Sequence, residues 1–137
     1  MADLLRYDEV RVGTELPPLP TDPISRLTLA LYCGASGDHN PIHVDIDFAR
    51  SAGLDDVFAH GMLGMAYLAR LVTGWVPQRS IRGLDTRFVA ITHVGDRITC
   101  SGIVAEKLAD RQVRLSLSAT DQNGTVKLAG EAIVELA

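Results

Sequence analysis

The chain has 137 residues, enough for one domain and too few for two. Hydrophobic residues make up 47% and charged residues 22%, which excludes a disordered polymer. Lys and Arg number 13 against 17 Asp and Glu, a formal charge of -4, with no basic stripe of the kind that displaces counterions from nucleic-acid phosphates. We therefore expect a single domain over residues 1–137 and no nucleic-acid partner.

The opening, Met1 to Asp8, carries acids where a signal peptide needs bases, and it lacks an apolar h-region. No uninterrupted apolar run approaches the ~20 residues of a membrane span. Cys33 and Cys100 stand far apart without C-x-x-C spacing and read as two buried free thiols. A cytoplasmic protein with no membrane partner is expected.

The proline-rich stretch Leu16 to Pro23 is extended or turning, because its prolines fix φ and remove donors. It leads into a helix capped by Ser25 and running through Arg26 to Cys33. Leu27, Leu31 and Ala35 share one face of it. The chain then breaks at Gly37-Asp38-His39-Asn40-Pro41-Ile42-His43, a polar loop between apolar segments. A short helix follows from about Asp45 to Ser51, ending near Gly53. Met62 to Val76 is apolar almost all round, with Arg70 its only charge, so that helix is expected to be buried on most sides.

The remainder reads as strands. Val113, Leu115, Leu117 and Ala119 alternate with polar residues, and Val126, Leu128, Gly130, Ala132 and Val134 repeat the pattern. Asn123-Gly124 marks a hairpin between them, since both positions tolerate positive φ. Arg97 to Glu106 and Ile81 to Ala90 supply two further strands, with Val94-Gly95-Asp96 as the turn between them. The fold class expected is α+β, an antiparallel sheet curled around one long helix.

Two stretches carry chemistry. Asp38 and His43, five residues apart across a turning loop, are able to converge on one water, with Asn40 orienting either group or the substrate. On spacing alone, Asp38 serves equally well as a turn residue and His43 as a satisfied core histidine. A metal reading rests on His39 and His43 at i, i+4, with His60 and Asp38 as further ligands. Pro41 opposes the helix that this spacing needs, and no metal is expected. In Phe58-Ala59-His60-Gly61-Met62-Leu63, Gly61 stands at the start of the buried helix, where free N–H groups and the helix dipole favour an oxyanion. Gly61 also reads simply as the residue that lets the helix start turn tightly.

Ser36-Gly37-Asp38-His39-Asn40-Pro41-Ile42-His43, with Ala49 six residues on, resembles the signature of the MaoC-like dehydratases. These include the (R)-specific, or type 2, enoyl-CoA hydratases and 3-hydroxyacyl-thioester dehydratases. Ala59-His60-Gly61-Met62-Leu63 resembles the second block of that family, and Tyr7 to Gly13, Asp85 to Phe88 and Val94 to Asp96 extend the likeness along nearly the whole chain. Ala35 stands where a larger aliphatic is more usual, a departure that touches packing alone.

The resemblance implies a hotdog fold and syn hydration of a trans-2-enoyl thioester, or its reverse, with no cofactor. It implies Asp38 and His43 as the water-holding dyad, Asn40 as their support and the Gly61 N–H as donor to the thioester carbonyl. The implied partners are an enoyl or 3-hydroxyacyl thioester of CoA or acyl-carrier protein, and a second copy in a homodimer, with a heterodimer as the alternative assembly. Met65 and Leu68 are candidates for an acyl slot, and Arg79, Arg82 and Arg87 for carrier phosphates. Two other functions remain open on this fold: an acyl-CoA thioesterase, and the catalytic subunit of a heteromeric dehydratase.

Overall fold

The computed structural model describes residues 5–137; Met1–Leu4, the start of the opening read for a signal peptide, lie outside the described residues. A two-residue strand, β1 (Leu19–Pro20), precedes three helices: α1 (Arg26–Ser36), α2 (Ile46–Ser51) and α3 (Gly61–Thr73). Four strands follow: β2 (Ile81–Phe88), β3 (Thr99–Lys107), β4 (Gln112–Thr120) and β5 (Val126–Glu135). All pairings are antiparallel, and the spatial order is β1-β3-β4-β5-β2. The chain therefore crosses over after α3, and β2 ends as an edge strand on β5.

The two-residue period builds the core directly. Val113, Leu115, Leu117 and Ala119 point inward from β4 and are each no more than 2% exposed. They pack with Leu68, Leu71 and Val72 of α3 and with Val104 and Val134 of the neighbouring strands. Each such aliphatic side chain contributes roughly 1.5–3 kcal/mol on burial. A second cluster joins Leu29 of α1, Ala49 of α2, Leu63 of α3, Ile24, Val57 and Ala59. It is the floor on which the polar loops rest.

Ser25 caps α1 as expected, its Oγ accepting from the Thr28 N–H at 3.0 Å. Asp45 caps α2 by accepting from the N–H groups of Asp47 and Phe48. The expected strands form, but β2 and β3, expected to be joined through the Val94–Asp96 turn, lie apart in the sheet, β2 on β5 and β3 on β4; the proline stretch contributes β1, with Leu19 opposite Cys100. Both cysteines are free and buried, and burial pushes the Cys100 thiol up to about 11.

One local expectation needs correction, and three local details go beyond the sequence reading. The inward face of α1 is Leu29 and Cys33; Leu27 and Leu31 stand 68% and 65% exposed, because the cluster beneath the helix meets the opposite face, two residues further along. The long helix α3 is buried on most sides as expected, and Met62, Ala66, Arg70 and Thr73, at i, i+4 and i+3 spacing, form an exposed stripe opposite the sheet. At the β4–β5 turn only Gly124 has positive φ, and Asp121 instead closes the turn by accepting from the N–H groups of Asn123 and Thr125. The paired positive φ occurs at Asp110 and Arg111, between β3 and β4.

Candidate active site

The loop after α1 is held by a ladder of short-range hydrogen bonds. Gly37 takes the left-handed conformation, φ 76°, and its N–H closes the helix on the Cys33 carbonyl. Ser36 Oγ donates to the Tyr32 carbonyl at 2.6 Å and accepts from the Asp38 N–H at 3.1 Å. Asp38 Oδ1 accepts from the Asn40 N–H at 3.3 Å, and Asn40 Oδ1 accepts from the Ile42 N–H at 3.1 Å. Asn40 thereby caps the single helical turn Pro41–His43 that carries the imidazole. Its side chain acts on the turn, and its backbone on Asp38.

One Asp38 oxygen is thus fixed by the loop, while the other faces His43: Oδ2 lies 3.8 Å from Nε2. His43 is buried and its Nδ1 lies 2.8 Å from the Phe58 carbonyl, an acceptor, so Nδ1 carries the proton and Nε2 presents a lone pair. The 3.8 Å gap exceeds a direct hydrogen bond and suits a bridging water. Asp38 itself is exposed and open to solvent.

Around His43 the aromatic rings form a column. Phe58 meets it edge-on at 5.0 Å and His60 stacks on it at 3.8 Å with 25° between planes. Tyr32 in turn meets His60 at 4.7 Å. Burial, and then the nearby His43, hold the His60 imidazole below the ordinary histidine value. Asp38, His43 and His60 each place one metal-ligating atom within 4.8 Å of the others. The two stacked rings, however, carry their in-plane lone pairs side by side and not toward a common point, a poor arrangement for a shared ion. His39 is exposed and stands outside this group.

Gly61 is the first residue of α3, so its N–H has no intrahelical acceptor. A side chain there would place Cβ 2.7 Å from the Phe88 ring, which would have to move aside to admit it. Gly61 and His60 line a cavity of about 280 Å³ whose other walls include Ile24, Leu63, Tyr67, Phe88, Ile98 and Leu128. Asp38 and His43 adjoin the cavity through His60 and do not line it themselves. Met65 and Leu68 do not line it either; Leu68 is 0% exposed and belongs to the sheet core.

The rim from Val89 to Thr92 is anchored from β5. The buried Lys127 ammonium donates to the Ile91 carbonyl at 2.8 Å and lies 3.7 Å from Asp96 and 3.6 Å from Asp121. Of the three candidate phosphate ligands, Arg82 is engaged by Glu135 at 2.8 Å, and Arg79 and Arg87 are exposed.

The MaoC like domain profile matches residues 9–124. The chain belongs to this family. Among curated MaoC-like relatives it is 32% identical over 122 residues to 3-hydroxyacyl-thioester dehydratase Z of Mycobacterium tuberculosis, covering 81% of each chain. It is 26% identical over 130 residues to the (R)-specific enoyl-CoA hydratase of Rhodospirillum rubrum, covering 93% of this chain and 89% of the relative. The same region is 27% identical to the fatty acid synthase subunit beta of Saccharomyces cerevisiae, of which it spans only 6%. Among solved structures, an R-hydratase of Pseudomonas aeruginosa superposes with a TM-score of 0.87 at 28% identity, covering 97% of this chain and 86% of that one. The α+β arrangement is the MaoC-like hotdog: an antiparallel sheet curved about α3.

The family likeness marked Asp38, Asn40, His43 and Gly61 as site residues; it took in Phe88 only as part of a strand pattern and did not include Lys127. One signal for Phe88 stood in the sequence: the run Phe88-Val89-Ala90-Ile91 breaks strand alternation with consecutive apolar residues. Lys127 gave none, since a lysine beside a hairpin ordinarily faces solvent.

Proposed function

We propose that the protein catalyses reversible syn hydration of a trans-2-enoyl thioester of CoA or acyl-carrier protein to the (R)-3-hydroxyacyl thioester. One observation carries this reading: a carboxylate and an imidazole 3.8 Å apart adjoin, through His60, an apolar cavity lined by a helix-start glycine whose amide has no intrahelical acceptor. The acyl chain enters the cavity, and the thioester carbonyl meets the Gly61 N–H. A water held by Asp38 Oδ2 and His43 Nε2 adds its oxygen to Cβ. One of its protons passes to the dyad, and the dyad returns one to Cα on the same face, which gives syn addition.

Charge accumulating on the carbonyl oxygen is stabilised by the Gly61 amide at the positive end of α3. A donor of this kind is worth about 2.7–4 kcal/mol. His43, with Nδ1 held by Phe58, is poised to accept a proton at Nε2 without reorienting. The names of the relatives, a dehydratase and hydratases, support the same chemistry.

A homodimer fits the sheet, since β2 is an edge strand with its outer hydrogen-bonding groups available for a second copy. Residues 1–137 act as one domain. Two free thiols suit a cytoplasmic location, and no described helix is long and apolar enough to cross a membrane.

Incubation with crotonyl-CoA tests the reaction. Loss of enoyl absorbance without free thiol means hydration; release of thiol means a thioesterase and overturns the reading. A folded chain that acts only after a second protein is added identifies it as one subunit of a heteromeric dehydratase.

A further inference from the structure

The loop that carries the dyad has few ties to the rest of the protein. Every residue from Gly34 to Pro41 is exposed, and the side-chain hydrogen bonds of Ser36, Asp38 and Asn40 stay within the loop and the end of α1. One buried side chain outside the loop reaches both dyad residues. His60 is 2% exposed; its Nε2 lies 3.4 Å from the Asp38 carbonyl oxygen, and its ring stacks on His43 at 3.8 Å. It also immediately precedes Gly61 in the chain.

The partners of the ring fix its proton. The Asp38 carbonyl accepts only, so this contact exists only when Nε2 carries hydrogen. Cys33 Sγ, also 3.4 Å from Nε2, is a weak acceptor that shares the same donor. Nδ1 is buried and has no partner among the described residues. A proton there would be an orphaned N–H, rarer and costlier than an orphaned lone pair. A proton on both nitrogens would bury a charge.

Resting on the hydratase reading, we propose that His60 is a positioning residue for the dyad. Held as the Nε2–H tautomer, it donates to the Asp38 backbone and lays its ring on His43. Because Gly61 is the next residue, one imidazole sets the spacing between the water-holding pair and the amide that receives the thioester oxygen. His43 carries the opposite tautomer, Nδ1–H, through Phe58. Two stacked imidazoles thus hold their protons on different atoms, His60 for placement and His43 for transfer.

The first test needs no variant and no substrate. Histidine 15N spectra of the unliganded protein are expected to show Nε2–H for His60 and Nδ1–H for His43. Nδ1–H at His60, or a mixture of tautomers, overturns the proposal. The second test compares His60→Phe, which keeps a stacking ring without the donor, with His60→Gln, which keeps a donor without the ring. With melting temperature and circular dichroism retained, each is expected to lose roughly ten- to a hundredfold in kcat on crotonyl-CoA, with KM within about twofold. His60→Gln is also expected to give His43 a mixed tautomer signal. Wild-type kcat in both variants overturns the proposal, and if neither folds, the wild-type spectrum decides. Asp38→Asn and His43→Ala separate the two levels. If these also leave the rate intact, the hydratase reading fails; if only these lose it, the failure is confined to His60.

Discussion

Along β4, Val113, Leu115, Leu117 and Ala119 are each no more than 2% exposed, whereas every residue from Gly34 to Pro41 is exposed. The sheet is held by apolar burial distributed over many side chains. The loop that bears Asp38 is held by a chain of side-chain-to-backbone hydrogen bonds, each worth only about 0.5–1.5 kcal/mol. On the proposed reading, stability and chemistry reside in different regions and answer to different forces. A change in the sheet should act on folding and leave turnover per folded molecule alone; a change in the loops should do the reverse.

The largest effect tests the sheet side. Leu115→Ala, at a position 0% exposed, is expected to cost about 2–5 kcal/mol in urea unfolding, with kcat per folded molecule unchanged. A loss of kcat without a loss of stability would erase the distinction. Gly61→Ala tests the loop side. Its Cβ would meet the exposed Phe88 ring, which is able to swing away, so the melting temperature is expected to hold while kcat falls about tenfold through misplacement of the amide. A large drop in stability with normal kcat would instead make Gly61 a packing residue.

The smallest effect is a pH slope. Burial lowers the His60 value below 6.5, so between the folded value and 6.5 the unfolded chain binds a proton that the native state refuses. Stability is then complete above 6.5 and is lost as pH falls. Melting temperature should decline on acidification below that point, and His60→Phe should flatten the decline. An unchanged slope in that variant would assign the effect to other groups.

The sheet was legible because strand alternation has a period: Val113 to Ala119 declares both its structure and its buried face. The caps Ser25 and Asp45 act within three residues and need no tertiary context. The exposed stripe of α3 was hidden, since Met62 and Ala66 are apolar and sequence does not say which side a sheet leaves uncovered. The turn at Asp110 and Arg111 was hidden because neither residue is one that positive φ usually selects.

In the site, the loop ladder from Ser36 to Asn40 is local, so the Asp38–His43 constellation was within reach of motif reading. The column Phe58, His43, His60 and Tyr32 is a contact between segments distant in the chain, which no spacing encodes. Lys127 is the extreme case: its carbonyl partner Ile91 lies 36 residues away, and only the closed fold brings them together.

The most direct test of a shared water between Asp38 and His43 is the rate of crotonyl-CoA hydration by Asp38→Asn and by His43→Ala, each checked for native melting behaviour. A loss of at least about 10²-fold in both, with the fold retained, is the expected result. Near-normal hydration by either folded variant would contradict the assignment of the dyad.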